Sequence, residues 1–398
     1  MPDTAAQSEL AAYIADRIQS APQQQIPFAE FMSLALYHPQ QGYYASPASG
    51  IGPQGDFITS PHLGHDFGEL LAEQLAEMWQ ILAQPQPFQL VEMGAGQGLI
   101  AADVLRHLQQ NYSHCFAALK YAIVEQSAAL RTEQQRRLEP WTGKVQWLAL
   151  DAIAPDSITG CVFSNELVDA LPVHLVEVRD GRLWEVYVGF DSARPNRDSD
   201  LVHFVERLGD LSTSRIRAYF ELVGIDLLSD QYPEGYRTEV NLAALDWIDA
   251  IAARLTRGYL LTIDYGHTAQ RYYSPMRHSG TLKCYYQHRH HDNPYLYVGK
   301  QDITAHVDFT ALERQGNSAG LQRVSFTQQA LFLMALGLGD RMAALSQAEN
   351  SRSLQELLQR RAAMRQLIDP IGLGNFGVLL QSKHLSEAPL PRGFRLPV

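Results

Sequence analysis

The sequence predicts a doubly wound α/β fold, in which a parallel sheet is covered by helical crossovers. Short apolar runs alternate with helical or loop stretches from about residue 85 onward. The first run, FQLVEMG, ends in glycines and is followed by the helical stretch LIAADVLRHLQQ. This alternation is typical of parallel strands joined by helices. With 398 residues, 46% of them hydrophobic, the chain is long enough to bury a large core.

An N-terminal helical extension over residues 1–84 precedes the core. Residues 7–20 and 28–37 have helical patterns, and residues 65–82 have a stronger one, with apolar side chains at helical spacing. Residues 43–61 are rich in Gly, Ser and Pro, which predicts an ordered loop between these helices.

The core occupies residues 85–398, and its strands are predicted at FQLVEMG, KYAIVEQ, KVQWLALD, CVFSNEL, YLLTIDYG and FGVLLQSK. An insertion at about 173–256 separates the fourth strand from the fifth. Alternating residues around Asp180-Gly181 predict a hairpin within it. Residues 267–310 are dense in Tyr and His and lack periodicity, which predicts a long loop. Helices are predicted at 127–138, 240–256, 327–337 and 352–367.

Charge and cysteine usage exclude several classes of protein. The net charge of -11 argues against a nucleic-acid partner held by phosphate contacts. Cys115, Cys161 and Cys284 are widely spaced, so they predict neither a disulfide framework nor a metal site, and they fit a reducing compartment. HRHH at 288–291 lacks the spacing of a helical zinc pair. We therefore expect no metal.

The N-terminal stretch MPDTAAQSELAAYIADRIQ has neither the apolar region of a signal peptide nor the arginines of a transit peptide. The longest apolar run, residues 330–339, is too short to span a bilayer. The sequence therefore predicts a soluble cytoplasmic protein without a membrane partner. It leaves a homo-oligomer open.

The stretch VEMGAGQGLI is typical of a nucleotide-binding loop. Glu92 precedes Gly94, Gly96 and Gly98, and the glycines lie between a strand and a helix. A dinucleotide loop would have its third glycine at the position of Leu99. The GxGxG spacing therefore favours a nucleoside without a pyrophosphate, and S-adenosylmethionine is such a ligand. The alternative is a glycine-rich turn with no ligand.

Two further acids follow the next strands. Glu125 ends YAIVE, where a carboxylate can accept bonds from both ribose hydroxyls, and Gln126 lies beside it. Asp151 ends WLALD, next to Ala152, and could accept from the adenine amino group. Ligands of open α/β sheets bind at the carboxyl ends of the strands, where these acids are expected. Asp151 could instead cap a helix.

The chain resembles the MidA-like family of class I methyltransferases, which includes the mitochondrial assembly factor that methylates an arginine of a respiratory complex I subunit. The resemblance covers nearly the whole chain and rests on FMSLALYHPQQGYY, GDFITSP, VEMGAGQG, SNELVDALPV, LTIDYG and DITAHVDF. It implies a Rossmann-like, mostly parallel sheet of seven strands. It also implies an S-adenosylmethionine-dependent methyltransferase whose partner is a protein substrate presenting an arginine. Complex I is an analogy for that partner.

The resemblance also implies site residues. GDFITSP matches the family's loop beside the cofactor, in which Thr59 and Ser60 would hold the methionine end. The alternative is an ordered turn with a helix cap. Loop 267–310 would lie on the substrate side. The residues carried over to cofactor positions are Gly55, Asp56, Phe57, Thr59, Ser60, Glu92, Gly94, Ala95, Gly96 and Glu125.

The polar residues after CVFS are the catalytic candidates. A carboxylate against a guanidinium can orient it and localise its charge, so that one nitrogen can attack a methyl group. Glu166 and Asp169 are placed to do this, and Asn165 could add a side-chain carbonyl beside cofactor and substrate. The alternative is helix capping by Asn165. His306 in DITAHVDF is an acid–base or peptide-positioning candidate, or forms a structural hydrogen-bond pair with Asp308.

Two other functions remain open. The chain could be a non-catalytic assembly chaperone that retains the cofactor pocket. It could also be a methyltransferase acting on a small molecule or RNA, although the acidic balance weakens the RNA version.

Overall fold

The computed structural model describes residues 4–45, 59–191, 202–347, 354–385 and 387–395. The chain divides into two compact units. Unit 1 comprises Met1–Phe57, Val168–Trp247 and His267–Arg314, and unit 2 comprises Ile58–Leu167, Ile248–Gly266 and Gln315–Val398. The extension over 1–84 and the insertion at 173–256 stay predictions. A division of the chain into compact units does not test where an extension or an insertion begins and ends.

The described strands are β1 Ile26–Pro27, β2 Phe88–Met93, β3 Leu119–Val124, β4 Val145–Leu148, β5 Ile158–Asn165, β6 His174–Arg179, β7 Arg182–Phe190, β8 Phe204–Gly209, β9 Arg237–Val240, β10 Leu255–Asp264, β11 Gly266–His267, β12 Lys283–Tyr286, β13 Arg289–His291, β14 Asp302–Thr304, β15 Val307–Asp308, β16 Gln322–Gln328 and β17 Gly377–Lys383.

The described α-helices are α1 Thr4–Ser20, α2 Phe28–Tyr37, α3 Asp66–Ile81, α4 Leu99–Asn111, α5 Ser113–Ala118, α6 Ala128–Arg137, α7 Arg215–Val223, α8 Leu242–Arg254, α9 Ala269–Tyr272, α10 Phe309–Ser318, α11 Gln329–Ala335, α12 Leu338–Gln347 and α13 Leu354–Leu367. The helices predicted from apolar spacing are confirmed to within a few residues.

Unit 2 contains a seven-stranded sheet in the order β16-β17-β10-β5-β2-β3-β4. The strands from β10 to β4 pair in parallel, whereas β17 is antiparallel to both of its neighbours. The α/β fold is therefore confirmed, with a mixed sheet. Because β2, β3, β5 and β10 run in parallel, their carboxyl ends meet at one edge, where open α/β sheets bind ligands.

Strand β16 was missed by the sequence analysis. Its sequence, QRVSFTQ, is polar at most positions and is exposed or half-buried throughout. It lies at the edge of the sheet and pairs with β17 alone. An edge strand needs no continuous apolar run, so the pattern used to find the buried strands does not apply to it.

Unit 1 contains a second sheet in the order β1-β7-β6-β9, with β8 also paired to β7. The predicted hairpin is confirmed, because Asp180 and Gly181 link β6 to β7 with φ of 53° and 65°. Residues 267–310 were wrongly predicted to be a loop. They contain the small sheet β13-β12-β14, whose strands of three or four residues are too short to show alternation.

No helix in the described part of the chain is long and apolar enough to cross a membrane. Within the same residues, no group of three or more His, Cys, Asp or Glu side chains could hold a metal ion.

Candidate functional site

The glycine loop follows β2 and leads into α4. Gly94, Gly96 and Gly98 have φ of 66°, 51° and 76°, the left-handed region that glycine adopts without strain. A Cβ on Gly94 would also lie 2.7 Å from Leu167 Cδ1. The spacing of the three glycines is therefore a requirement of the backbone, and Ala95 lies within the turn that they form.

Side chains of helix α6 form hydrogen bonds to backbone carbonyls of this loop. Gln134 Nε2 donates to the Gly96 carbonyl at 2.7 Å and to Glu125 Oε2 at 3.0 Å, while Trp147 Nε1 donates to Gln134 Oε1 at 2.9 Å. Arg137 Nε donates to the Gln97 carbonyl at 2.8 Å. Gln134 is fully buried. Sequence reasoning missed it, and the only signal was its position four residues after the buried Leu130 on the same helix face.

Glu125 directly follows β3, in the predicted position. Its Oε1 accepts from the Ser127 amide at 2.9 Å. Burial raises the pKa of Glu125, and the bonds from Ser127, Gln134 and the Gln126 amide partly oppose this. The carboxylate is only half-buried. The loop and Glu125 are thus joined through Gln134 and lie together at the carboxyl ends of β2 and β3.

Glu92 has different surroundings from Glu125. It is 2% exposed, and Tyr121 Oη donates to its Oε2 at 2.7 Å. Burial raises the pKa of Glu92 to about 7, and the charge of Glu125 adds to this effect. Glu92 therefore holds a proton through part of the neutral range, beneath the loop.

Asp151 does not end a strand as the sequence predicted. Strand β4 ends at Leu148, because residues 150–152 form a short 3-10 turn in which the Ala152 amide donates to the Ala149 carbonyl. Asp151 and Ala152 are both exposed. Their predicted contact with adenine stays a prediction.

Of the predicted cofactor loop, Gly55, Asp56 and Phe57 lie outside the described residues. Thr59 Oγ1 lies 2.7 Å from His62 Nδ1, and the Ser60 hydroxyl donates to Gln329 Oε1 at 3.3 Å. Ser60 begins the 3-10 turn Ser60–Leu63, which packs against α4, the helix that follows the glycine loop.

Asn165 ends β5, and Glu166 follows it in a left-handed conformation, with φ of 53°. Such a conformation is uncommon for a residue with a side chain and is often found at functional sites. The Glu166 amide donates to the Ile263 carbonyl at 2.9 Å, which fixes this turn against β10. The strained residue is thus a carboxylate held at the edge where the parallel strands end.

The Asn165 side chain does not cap a helix, which was the alternative prediction. Its Nδ2 donates to Glu166 Oε1 at 3.0 Å. Its Oδ1 is buried and has no hydrogen-bond partner among the described residues. A buried acceptor without a partner is costly, so this oxygen is suited to a donor that a ligand brings.

Asp169 and His306 belong to unit 1. Asp169 is 6% exposed, and its carbonyl accepts from the amide of Ala305, the residue before His306, at 2.9 Å. Burial, with a smaller contribution from Asp169, raises the pKa of Tyr285. Backbone pairing thus brings together two segments that are distant in sequence.

His306 is uncharged at neutral pH. Burial and, to a smaller extent, the neighbouring ring of His267, with centroids 5.1 Å apart, lower its pKa to about 4. Asp308 accepts from Tyr219 Oη at 3.1 Å and from the Thr310 amide at 2.9 Å, at the start of α10. Asp308 therefore caps a helix.

The sequence and the fold of the chain are similar to those of known methyltransferases. The model of a family described as S-adenosyl-L-methionine-dependent methyltransferases matches residues 70–327. The Rattus norvegicus protein named protein arginine methyltransferase NDUFAF7, mitochondrial, is 30% identical over 90% of this chain and 82% of its own length. The Drosophila melanogaster homolog is 29% identical over 88% and 79%. A Burkholderia thailandensis crystal structure with bound S-adenosyl-homocysteine has a TM-score of 0.83 at 34% identity, covering 99% of this chain and 97% of its own.

These relatives overturn the predicted cytoplasmic localisation. Both the rat and the fruit-fly proteins are named mitochondrial. The prediction was wrong because widely spaced free cysteines indicate a reducing compartment without identifying which one, and because the N-terminal pattern did not reveal a mitochondrial location.

Proposed function

Because the chain belongs to the S-adenosyl-L-methionine-dependent methyltransferase family, we propose that it is a protein arginine methyltransferase whose substrate is a respiratory-complex-type protein. The observation that supports this most strongly is its similarity, over most of both chains, to relatives named protein arginine methyltransferase. The names of those relatives give the activity but not the methylated protein. The complex I partner therefore has less support than the arginine methyltransferase activity.

The loop of unit 2 fits the cofactor. With three glycines at positive φ, the backbone between β2 and α4 allows a nucleoside to approach closely, and the spacing does not provide for a pyrophosphate. Glu125 would accept from the ribose hydroxyls, and Gly94, Ala95 and Gly96 would line the cofactor.

The other predicted cofactor contacts form part of the same proposal. Gly55, Asp56, Phe57, Thr59 and Ser60 would surround the methionine end. Glu92 would support the loop from below. Asp151, Ala152 and Gln126 would lie near the adenine.

The chemistry at Glu166 follows from its charge and geometry. Bound S-adenosylmethionine supplies a methyl group on a sulfonium, which a nitrogen takes by in-line displacement of the sulfur. Arginine is a poor nucleophile because its positive charge is delocalised. Glu166 would accept two guanidinium N–H bonds and localise that charge, leaving one nitrogen with a lone pair directed at the methyl carbon.

Asn165 would complete this arrangement through Oδ1, its buried oxygen, which would accept from the attacking nitrogen or from the cofactor's amino group. The proton released from the nitrogen would pass to Glu166 or to water. Asp169 and His306 remain predictions for the substrate side. A neutral His306 could accept a hydrogen bond or a proton.

The test is incubation of the protein with methyl-labelled S-adenosylmethionine and a mitochondrial or bacterial membrane extract. Protein, RNA and small molecules are then separated, and the labelled protein is hydrolysed to amino acids. We expect the label in methylarginine. Label in lysine, in RNA or in a small molecule would contradict the arginine assignment and leave the cofactor assignment intact.

A further inference from the structure

The turn that contains Ser60 is bonded to a segment 269 positions later in the chain. The Ser60 hydroxyl donates to Gln329 Oε1 at 3.3 Å, and both residues are fully buried within unit 2. Gln329 is the first residue of α11. A buried serine hydroxyl that loses its acceptor would be left without a partner, so this bond constrains where the turn can lie.

Gln329 has two further bonds, each to a different element. Its Nε2 donates to the carbonyl of Leu367, the last residue of α13, at 3.1 Å. Its amide donates to the carbonyl of Phe376, just before β17, at 2.8 Å. One side chain and its backbone thus join the Ser60 turn to a C-terminal helix and to the central sheet.

A second connection lies six residues along the chain from Ser60. Asp66 is 4% exposed and accepts from Arg360 at 2.7 and 2.8 Å and from Arg341 at 3.1 Å. Burial alone would raise the pKa of Asp66, but the two arginines hold it below its usual value. Helices α12 and α13 are therefore attached to the start of α3, and α13 is also the helix that Gln329 bonds through Leu367.

The other side of the turn faces the glycine loop. The turn Ser60–Leu63 packs against α4 and α13. Burial lowers the pKa of His62, and Gln97, in the glycine loop, has a smaller opposite effect on it. The turn therefore lies close to the glycine loop and also contacts the C-terminal helix α13.

We propose that Gln329 is a positioning residue for the cofactor: by joining Ser60 to α13 and β17, it holds Thr59 and Ser60 where the methionine end of S-adenosylmethionine binds. This rests on the proposed function, which assigns those two residues to the cofactor. Gln329 acts through Ser60 and does not contact the cofactor.

The test compares Gln329→Met with Gln74→Met by calorimetric titration with S-adenosylmethionine and by thermal unfolding. Gln74 is also fully buried and also holds a C-terminal segment, because its Oε1 accepts from the Gly393 amide at 2.8 Å. It is a matched control for lost burial and lost hydrogen bonds. We expect both variants to lower the Tm similarly. Only Gln329→Met should weaken cofactor binding, by about tenfold, the size of one hydrogen bond that the displaced Thr59 or Ser60 no longer makes with the cofactor.

A double-mutant cycle with Ser60→Ala separates positioning from general destabilisation. If Gln329 acts through Ser60, the losses of affinity will not add, because the second change removes an interaction that is already gone. Additive losses, or a loss in Gln74→Met equal to that in Gln329→Met, would overturn the proposal. If Gln329→Met does not fold, Gln329→Asn takes its place, because it withdraws the side-chain amide by one methylene. Wild-type cofactor affinity in Gln329→Asn would likewise overturn the proposal. Wild-type protein that binds no cofactor would instead refute the proposed function itself.

Discussion

The glycine-loop region of unit 2 and the region of unit 1 around Glu239 both bury polar groups, but by different means. In unit 2, Gln134 Nε2 donates to Glu125, nine residues earlier, and to the Gly96 carbonyl in the loop directly after β2. In unit 1, Glu239 is 2% exposed and accepts from Tyr272 Oη at 3.0 Å and from the Thr281 amide at 2.8 Å. Both arrangements join residues that are distant in sequence, 38 positions apart for Gln134 and Gly96 and 33 and 42 positions apart for the partners of Glu239. Only in unit 2 do the acid and the glycines directly follow parallel strands that are neighbours in the sheet.

The two regions differ in how far the sequence alone reveals their residues. A site at the ends of parallel strands is specified by local sequence, so its residues can be identified from a motif. A network of distant polar partners gives no motif, so its individual residues have to be tested by substitution.

Replacement of Glu166 by Gln should separate chemistry from cofactor binding. Removing the charge that localises the guanidinium should slow methyl transfer by about a thousandfold, while the calorimetric Kd for S-adenosylmethionine changes little. Labelled transfer to the acceptor protein measures the rate. Glu139→Gln, at an exposed position in a 3-10 turn, is the matched control. Transfer at the wild-type rate would remove Glu166 from the chemistry, and lost cofactor binding would move it to the cofactor site. Maturation of the partner that continues although transfer is lost would favour an assembly chaperone.

Each unit contains a buried acid with a pKa raised to about 7, Glu92 in unit 2 and Asp308 in unit 1. Burial is the main cause in both. An acid whose pKa is higher in the folded state is neutral in both states at low pH. Between its unfolded pKa and about 7, the unfolded state loses its proton first, so stability falls as the pH rises.

Glu92→Gln and Asp308→Asn should abolish that fall in stability. Relative to wild type, the free energy of unfolding of each variant should rise by about 3 kcal/mol between pH 4 and pH 7. Denaturant unfolding at a series of pH values measures it. A difference from wild type that does not vary with pH would show that the acid has the same pKa in the folded and unfolded states. If the free energy of unfolding relative to wild type changed with pH for only one of the two variants, the pKa of the buried acid would be raised in one unit and not in the other.

Glu125→Gln should weaken cofactor binding by about tenfold, because one charge-assisted bond to the ribose becomes a neutral bond. Gln can still accept from the Ser127 amide but loses the bond from Gln134 Nε2, so circular dichroism should first show that the variant is folded. Calorimetric titration with S-adenosylmethionine measures the change, and Glu139→Gln again provides the control. An unchanged Kd would remove Glu125 from the site.

Asp151→Asn should have the smallest effect, less than about threefold on the same Kd, because its side chain is exposed and a bond in water contributes little. A tenfold loss would show that residues 150–152 close over the adenine when the cofactor binds.

The sequence predicted the sheet, the hairpin and the glycine loop because each has a local signature. FQLVEMG and CVFSNEL have apolar runs that only buried strands need, and Asp180-Gly181 has the residues that a tight hairpin needs. The edge strand β16 lacks such a run and was missed.

The site was predicted less completely than the fold. Glu166 was identified as a carboxylate after a strand, but its left-handed backbone, set by a bond to Ile263, could not be foreseen. Gln134 and Gln329 were missed because a buried glutamine on a helix has the same sequence signature as an exposed one. Only the fold shows which carbonyls and hydroxyls they reach.

Calorimetric titration of the wild-type chain with S-adenosylmethionine tests the central claim most directly, because it needs no knowledge of the substrate. We predict saturable binding of one cofactor per chain that competes with S-adenosyl-homocysteine and is weakened by Glu125→Gln. Absence of any binding heat, with the protein folded by circular dichroism, would contradict the assignment of this site.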